Sequence, residues 1–167
     1  MSSCGPPQSI HPLSGPRDSV IDKRLLGAWG NRRDTLKIGF SDTPVMVFSW
    51  TTYKNEKSSE TEEISLTAFV TKIGRDNMLN LRFQTPTDST SIEQEHYMFG
   101  KYKFLTANTL RIWIMDDAEV ERAIDFGLLR GEVTVGKELF SSKNVLITDT
   151  SQNIVAFIQQ ARTRALF

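Results

Sequence analysis

Between Thr35 and Met115, apolar and polar residues alternate with a period of two over successive short stretches, which is the pattern of strands with one buried face. Leu36, Ile38 and Phe40 alternate with Thr35, Lys37 and Gly39. The stretch from Val45 to Tyr53 is β-branched and aromatic, with apolar groups on both faces. Ile64, Leu66, Ala68 and Val70 form a further alternating set, as do Leu79, Leu81 and Phe83. His96 to Leu105 and Leu110 to Met115 complete the run. With a stretch near 27–32, they make seven strand candidates in a row. Ser41-Asp42-Thr43-Pro44, Gly74-Arg75-Asp76-Asn77 and Thr106-Ala107-Asn108 separate them as turns.

After Met115 the period lengthens. Val120, Ala123, Ile124 and Leu128 recur at helical spacing behind Asp116 or Asp117 as cap, which predicts a helix over 117–129. A weak strand at Glu132–Val135 and a better one at Asn144–Thr148 follow. Thr150 or Ser151 then caps a second helix over 151–162, with the stripe Ile154, Phe157, Ile158 and Ala161. Arg162 and Arg164 sit near its end, where the helix dipole favours cations.

The fold class expected is mainly β with two helices. Consecutive strands with short links make an antiparallel up-and-down meander, which closes into a barrel to remove its edges. The turns at 41–44, 74–77 and 106–108 share one tight end, and the long polar loops at 54–63 and 84–95 share the other. Phe48 and Trp50 oppose Val45 and Val47, and Trp113 and Met115 oppose Ile112 and Ile114, so several strands are apolar on both faces. The helices are therefore expected to pack on the outside of the barrel or at its mouth. At the mouth, Val120, Ile124 and Leu128 would point inward and gate a ligand. The aromatics Phe40, Phe48, Trp50, Phe83, Tyr102 and Phe104 are the candidates to fill the interior.

Residues 1–21 carry no periodic apolar set and hold four of the six prolines. They read as a flexible tether, possible site of a lipid anchor, ahead of a barrel domain over 22–167. At 167 residues the chain is one domain's worth. Its 20 basic and 20 acidic side chains cancel, a balance that argues against a nucleic-acid partner. Cys4 is the one cysteine, so no internal disulfide forms. The longest apolar runs fall far short of the roughly 20 residues of a membrane helix.

Gly27-Ala28-Trp29 reads G-x-W at the start of the first barrel strand. It resembles the opening motif of the lipocalins and the wider calycin group. That resemblance implies a tryptophan plug, Trp29, at the closed end, under an arginine from a late strand, here Arg111. The connection Thr106-Ala107-Asn108 departs from the family's T-D-Y motif. The alternative is a buried tryptophan at a barrel base with no family meaning.

Cys4, Ile10-His11-Pro12-Leu13, Leu26-Gly27-x-Trp29, Leu110-x-Ile112-Trp113-x-Met115-Asp116 and Thr148-Asp149-x-Ser151 are similar to a group of uncharacterised bacterial lipoproteins. The resemblance implies lipid attachment at Cys4, a Pro/Ser tether and a place in the bacterial cell envelope. The apolar stretch that precedes a lipidated cysteine is missing here. Either the true start lies upstream, or Cys4 is an ordinary thiol and the protein is cytoplasmic.

Catalytic constellations are poor. His11 and His96 stand apart, so no histidine pair marks a zinc site, and no cofactor motif is present. Asp116, Asp117, Glu119 and Glu121 crowd a helix N-terminus, where capping and the dipole account for them. In Phe99–Phe104 the basic and aromatic residues alternate, with Tyr102 and Phe104 inward and Lys101 and Lys103 outward. The function expected is a non-catalytic, membrane-tethered binding or structural module holding a small apolar ligand, or binding another envelope protein. The alternative is a protein-interaction domain with a filled barrel and no ligand pocket. An enzyme using rim carboxylates is a distant third.

Overall fold

The computed structural model describes residues 5–31, 34–41, 44–53, 61–83, 96–135, 143–161 and 166–167. Its elements, in chain order, are β1 (Gln8–Ser9), β2 (Gly27–Gly30), β3 (Asp34–Phe40), β4 (Met46–Tyr53), β5 (Thr61–Ile73), β6 (Asp76–Phe83), β7 (Met98–Thr106), β8 (Thr109–Ile114), α1 (Asp117–Asp125), β9 (Gly131–Val135), β10 (Lys143–Ile147) and α2 (Ser151–Gln160). β2 to β8 pair in sequence order as one antiparallel meander, nearly closed into a barrel. The fold is mainly β with two helices, as the alternation predicts.

Side-chain parity divides the meander into two faces. Leu36, Ile38, Met46, Phe48, Val70 and Leu79 point to one interior cluster, joined by Met98 and Tyr102. Leu25, from a short 3-10 turn at Lys23–Leu25, enters the same cluster and is fully buried. The opposite parity gives Ile73, Met78 and Phe99, which form a second cluster with Val120, Ile147, Ile154 and Ile158. The central strands are thus covered on both sides, and their apolar runs lose the simple alternation of an exposed sheet.

The cover of the outer face has its own small sheet, ordered β1-β10-β9, with β1 parallel to β10. Ser9 exchanges both backbone hydrogen bonds with Tyr97, at 2.7 and 2.8 Å, which ties this sheet to the start of β7. Both helices pack on the outside of the barrel. Val120 and Ala123 are buried against the outer-face residues Met78 and Phe99, so α1 covers the wall and is not a mouth helix. Ile124 is half-buried in that cluster, and Leu128 is 64% exposed, so the expected inward gate of Val120, Ile124 and Leu128 is corrected.

The flexible tether expected over 1–21 is also corrected, over residues 8–20. Pro7, Ser9 and Leu13 are buried. The Leu13 backbone N–H donates to Asn80 Oδ1 at 2.7 Å, and Ser14 Oγ lies 2.6 Å from Thr71 Oγ1. Beyond Ala68 the β5 edge is no longer paired to β4, and Ser19 and Val20 take up both backbone groups of Val70. These contacts are non-local and polar, so no local apolar period announces them.

Candidate functional site

At the tight-turn end, the segment before β2 is locked to β7. Asp22 caps the 3-10 turn and accepts from Arg24 Nε at 2.8 Å and Nη2 at 2.7 Å. Its other contact is the Tyr102 hydroxyl, which donates to Oδ2 at 3.1 Å. The Arg24 hydrogen bond is the main force holding the Asp22 carboxyl below the usual carboxylate range, against the opposing effect of burial. Burial, and then the Asp22 charge, raise the Tyr102 phenol well above its ordinary value.

Trp29 is half-buried beside this lock. Its Nε1 donates to the Leu25 carbonyl at 2.8 Å, and its ring lies 5.7 Å from Phe104. Gly27 adopts φ 125°, a conformation that only glycine takes easily, which explains the Gly of the G-x-W motif. Arg111 is not the residue above Trp29. It shares the outer face with Trp113, whose ring centroid is 5.6 Å from its guanidinium, whereas Trp29 packs with Leu110 and Ile112 on the inner face. The arginine near the plug is Arg24, 4.7 Å above Phe104. Sequence reading missed Asp22, Arg24 and Tyr102 as a set; the one local signal is an aspartate two residues before an arginine at a turn.

The interior is occupied by side chains. Leu25, Phe48, Leu79 and Tyr102 are buried there, and Phe104 is partly buried. Phe40, Trp50 and Phe83 share the inner-face parity of Ile38, Phe48 and Leu81 but are exposed, so they do not fill the buried core. The loops 54–60 and 84–95 fall outside the described residues.

A groove of about 640 Å³ lies instead between α1 and α2. Asp116 caps α1 by accepting from the Glu119 N–H, and Thr150 caps α2 by accepting from the Asn153 N–H. Gly127 takes φ 68° just past α1 and turns the chain sharply. The turn leaves Phe126 77% exposed on the groove, next to Leu128. Ala156, Phe157 and Ala161 line the facing wall, with Arg122 and Arg130 also at the groove. Asp149 is a structural group there. Burial pushes its carboxyl up, and hydrogen bonds from Arg130 N, Asn153 Nδ2 and Thr150 N outweigh that and hold it low.

The remaining candidates are dispersed. Cys4 lies outside the described residues. His11 is exposed, and His96 Nδ1 lies 3.0 Å from Gln8 Oε1. Glu119 pairs with Arg122 and Glu121 with Lys143, which separates three of the four acids at the start of α1 into a cap, Asp116, and two ion pairs. Among the described residues no three His, Cys, Asp or Glu side chains gather as a metal site, and no helix is long and apolar enough to cross a membrane.

The chain matches no protein-family model, no curated protein sequence and no solved structure. The nearly closed antiparallel meander is compatible with a calycin-like fold.

Proposed function

We propose that this protein is a non-catalytic protein-interaction module, in which a filled barrel supports a docking groove between α1 and α2. The observation that carries the reading is a pair of contrasts. Leu25, Phe48 and Tyr102 occupy the space a small apolar ligand would need, while Phe126 and Leu128 stand exposed at the groove. Large apolar groups clustered on a surface mark interaction sites more often than isolated ones do. Arg122 and Arg130 flank the apolar wall and are balanced there by Glu119 and Asp149, so the favoured occupant is an amphipathic segment of another protein that presents its apolar side chains to the groove.

The lipocalin-like and lipoprotein resemblances enter the proposal as fold kinship and location. Acylation at Cys4 would put the module in the bacterial envelope. Because Pro7 is already buried, the three residues after Cys4 could extend the anchor by no more than about 10 Å. Mass analysis of the Cys4 peptide, from cells expressing the gene with its upstream sequence, tests this part; an unmodified thiol removes it.

The docking reading is tested by a photo-crosslinking residue at Phe126, with one at the exposed Lys37 on β3 as control. A discrete adduct from position 126, absent from position 37 and abolished by Leu128→Asp at unchanged melting temperature, supports it. Equal adducts from both positions, or none from 126 in the native cell, overturn it.

A further inference from the structure

A second groove, of about 710 Å³, lies where β7 runs on past the β5–β6 turn, and is lined from both faces of β7, by Tyr102 and Phe104 as well as by Lys101 and Lys103. Arg24, Arg75, Lys101 and Lys103 line it, together with Asp76 and the rings of Trp113 and Phe167. Arg24 is neutralised by Asp22, and Lys101 by Asp76 at 3.0 Å. Arg75 and Lys103 have no ion-pair partner among the described residues, which leaves a surplus of two positive charges in a protein whose net charge is zero.

Folding alone does not favour this arrangement. Lys103 stands directly opposite Arg111 in the β7–β8 register, on the same outer face. Like charges facing each other across strands are destabilising. A bound anion would relieve that repulsion. The apolar part of the groove adds a second requirement: Trp113 is half-buried and Phe167 lies beside it.

We infer that this groove is a binding site for a phosphate monoester carried on an apolar or aromatic body. A phosphate monoester carries between about −1.5 and −2 charges at neutral pH and three acceptor oxygens, which matches the surplus from Arg75 and Lys103. Its phosphate meets Arg75, Lys101 and Lys103, and its body rests against Trp113 and Phe167. The ligand is either a free organic phosphate or the phosphomonoester headgroup of a lipid such as phosphatidic acid. The site is separate from the α1–α2 groove and does not depend on what docks there.

The test titrates the full chain with phenyl phosphate and with inorganic phosphate, following tryptophan fluorescence, and in parallel measures sedimentation with phosphatidic acid and phosphatidylcholine vesicles. The expected result for a free ligand is saturable one-to-one binding of phenyl phosphate, tighter than inorganic phosphate. For a lipid source it is co-sedimentation with phosphatidic acid vesicles only. In either case the double variant Arg75→Gln/Lys103→Gln should bind about tenfold more weakly, as loss of charge-assisted contacts implies. Arg17→Gln, on the N-terminal segment, should leave binding unchanged. Lys103→Gln should melt no lower than the parent, since it removes the repulsion with Arg111. No saturable binding by either probe, or equal weakening by Arg17→Gln and the double variant, overturns the assignment.

Discussion

Leu13 donates its backbone N–H to the side chain of Asn80, 2.7 Å away and 67 positions later in the chain. Asn80 is fully buried, and its Nδ2 donates to Thr71 Oγ1 and to the Phe69 carbonyl. Replacing Asn80 with Leu strands the buried Leu13 N–H, and should cost about 1–3 kcal/mol. Leu13→Ala should cost about 2–5 kcal/mol, as a buried large-to-small change. Urea denaturation of both variants checks this. A loss near zero for Leu13→Ala would return the N-terminal segment to the status of a dispensable tether.

The Arg24 hydrogen bond to Asp22 and the burial of Tyr102, with the Asp22–Tyr102 contact as a smaller part of each, give stability a dependence on pH at both extremes. The folded Asp22 carboxyl titrates below its unfolded counterpart. Its contribution is complete above the ordinary carboxylate range and is lost as pH falls through the depressed folded value. Tyr102 is shifted the other way. Its contribution is complete below the ordinary phenol range and is lost as pH rises through the raised folded value. Asp22→Asn should therefore flatten the acid limb of the stability profile, and Tyr102→Phe the alkaline limb. An unchanged alkaline slope in Tyr102→Phe would contradict the burial of the phenol.

Gly131 marks the closest approach of β9 to its neighbours. A Cβ placed there would lie 2.5 Å from Ile124 Cδ1 and 2.6 Å from the Leu146 carbonyl oxygen. The carbonyl belongs to the backbone of β10 and cannot swing away. Gly131→Ala should destabilise by about 1–3 kcal/mol through overpacking. Thermal melting decides the point, and an unchanged or higher melting temperature would show that the small sheet gives way freely.

Ile124 and Leu128 belong to one apolar set in the sequence and to different surroundings in the structure. Ile124 packs at the edge of the outer cluster, so Ile124→Asp places a charge against Val120, Ala123 and their neighbours and should unfold α1 or the domain. Leu128 is exposed, and Leu128→Asp should change stability by no more than about 0.5 kcal/mol. Circular dichroism melts of the pair give the comparison. Equal destabilisation would mean that Leu128 is also part of the core.

Much of the architecture is legible in the sequence because it is written in local periods. The alternation in β3, β5 and β6 reads directly, and the caps at Asp116 and Thr150 are among those the sequence offers. The helices cover the outer face of β5, β6 and β7 through Ile73, Met78 and Phe99, whereas Val47 on β4 and Trp113 on β8 stay half-buried outside that cluster. The features that do not read are non-local. β1 is two residues long and exists because β10 and Tyr97 offer it backbone groups. Asn80 looks like the polar face of β6 until Leu13 is laid over it. Arg111 is a different case, since its odd parity with Trp113 already separates it from Leu110 and Ile112. The α1–α2 groove depends on how two helices meet across the small sheet, which neither stripe specifies alone.

The filled barrel and the groove beside it can be tested together by methyl-resolved NMR during titration with a naphthylamine probe. We expect the shifts to fall on the methyls of Leu128 and Ile124, with Ile38, Val70 and Leu79 unmoved. Shifts concentrated on Ile38, Val70 and Leu79 would place the probe inside the barrel and contradict an interaction module built on a filled core.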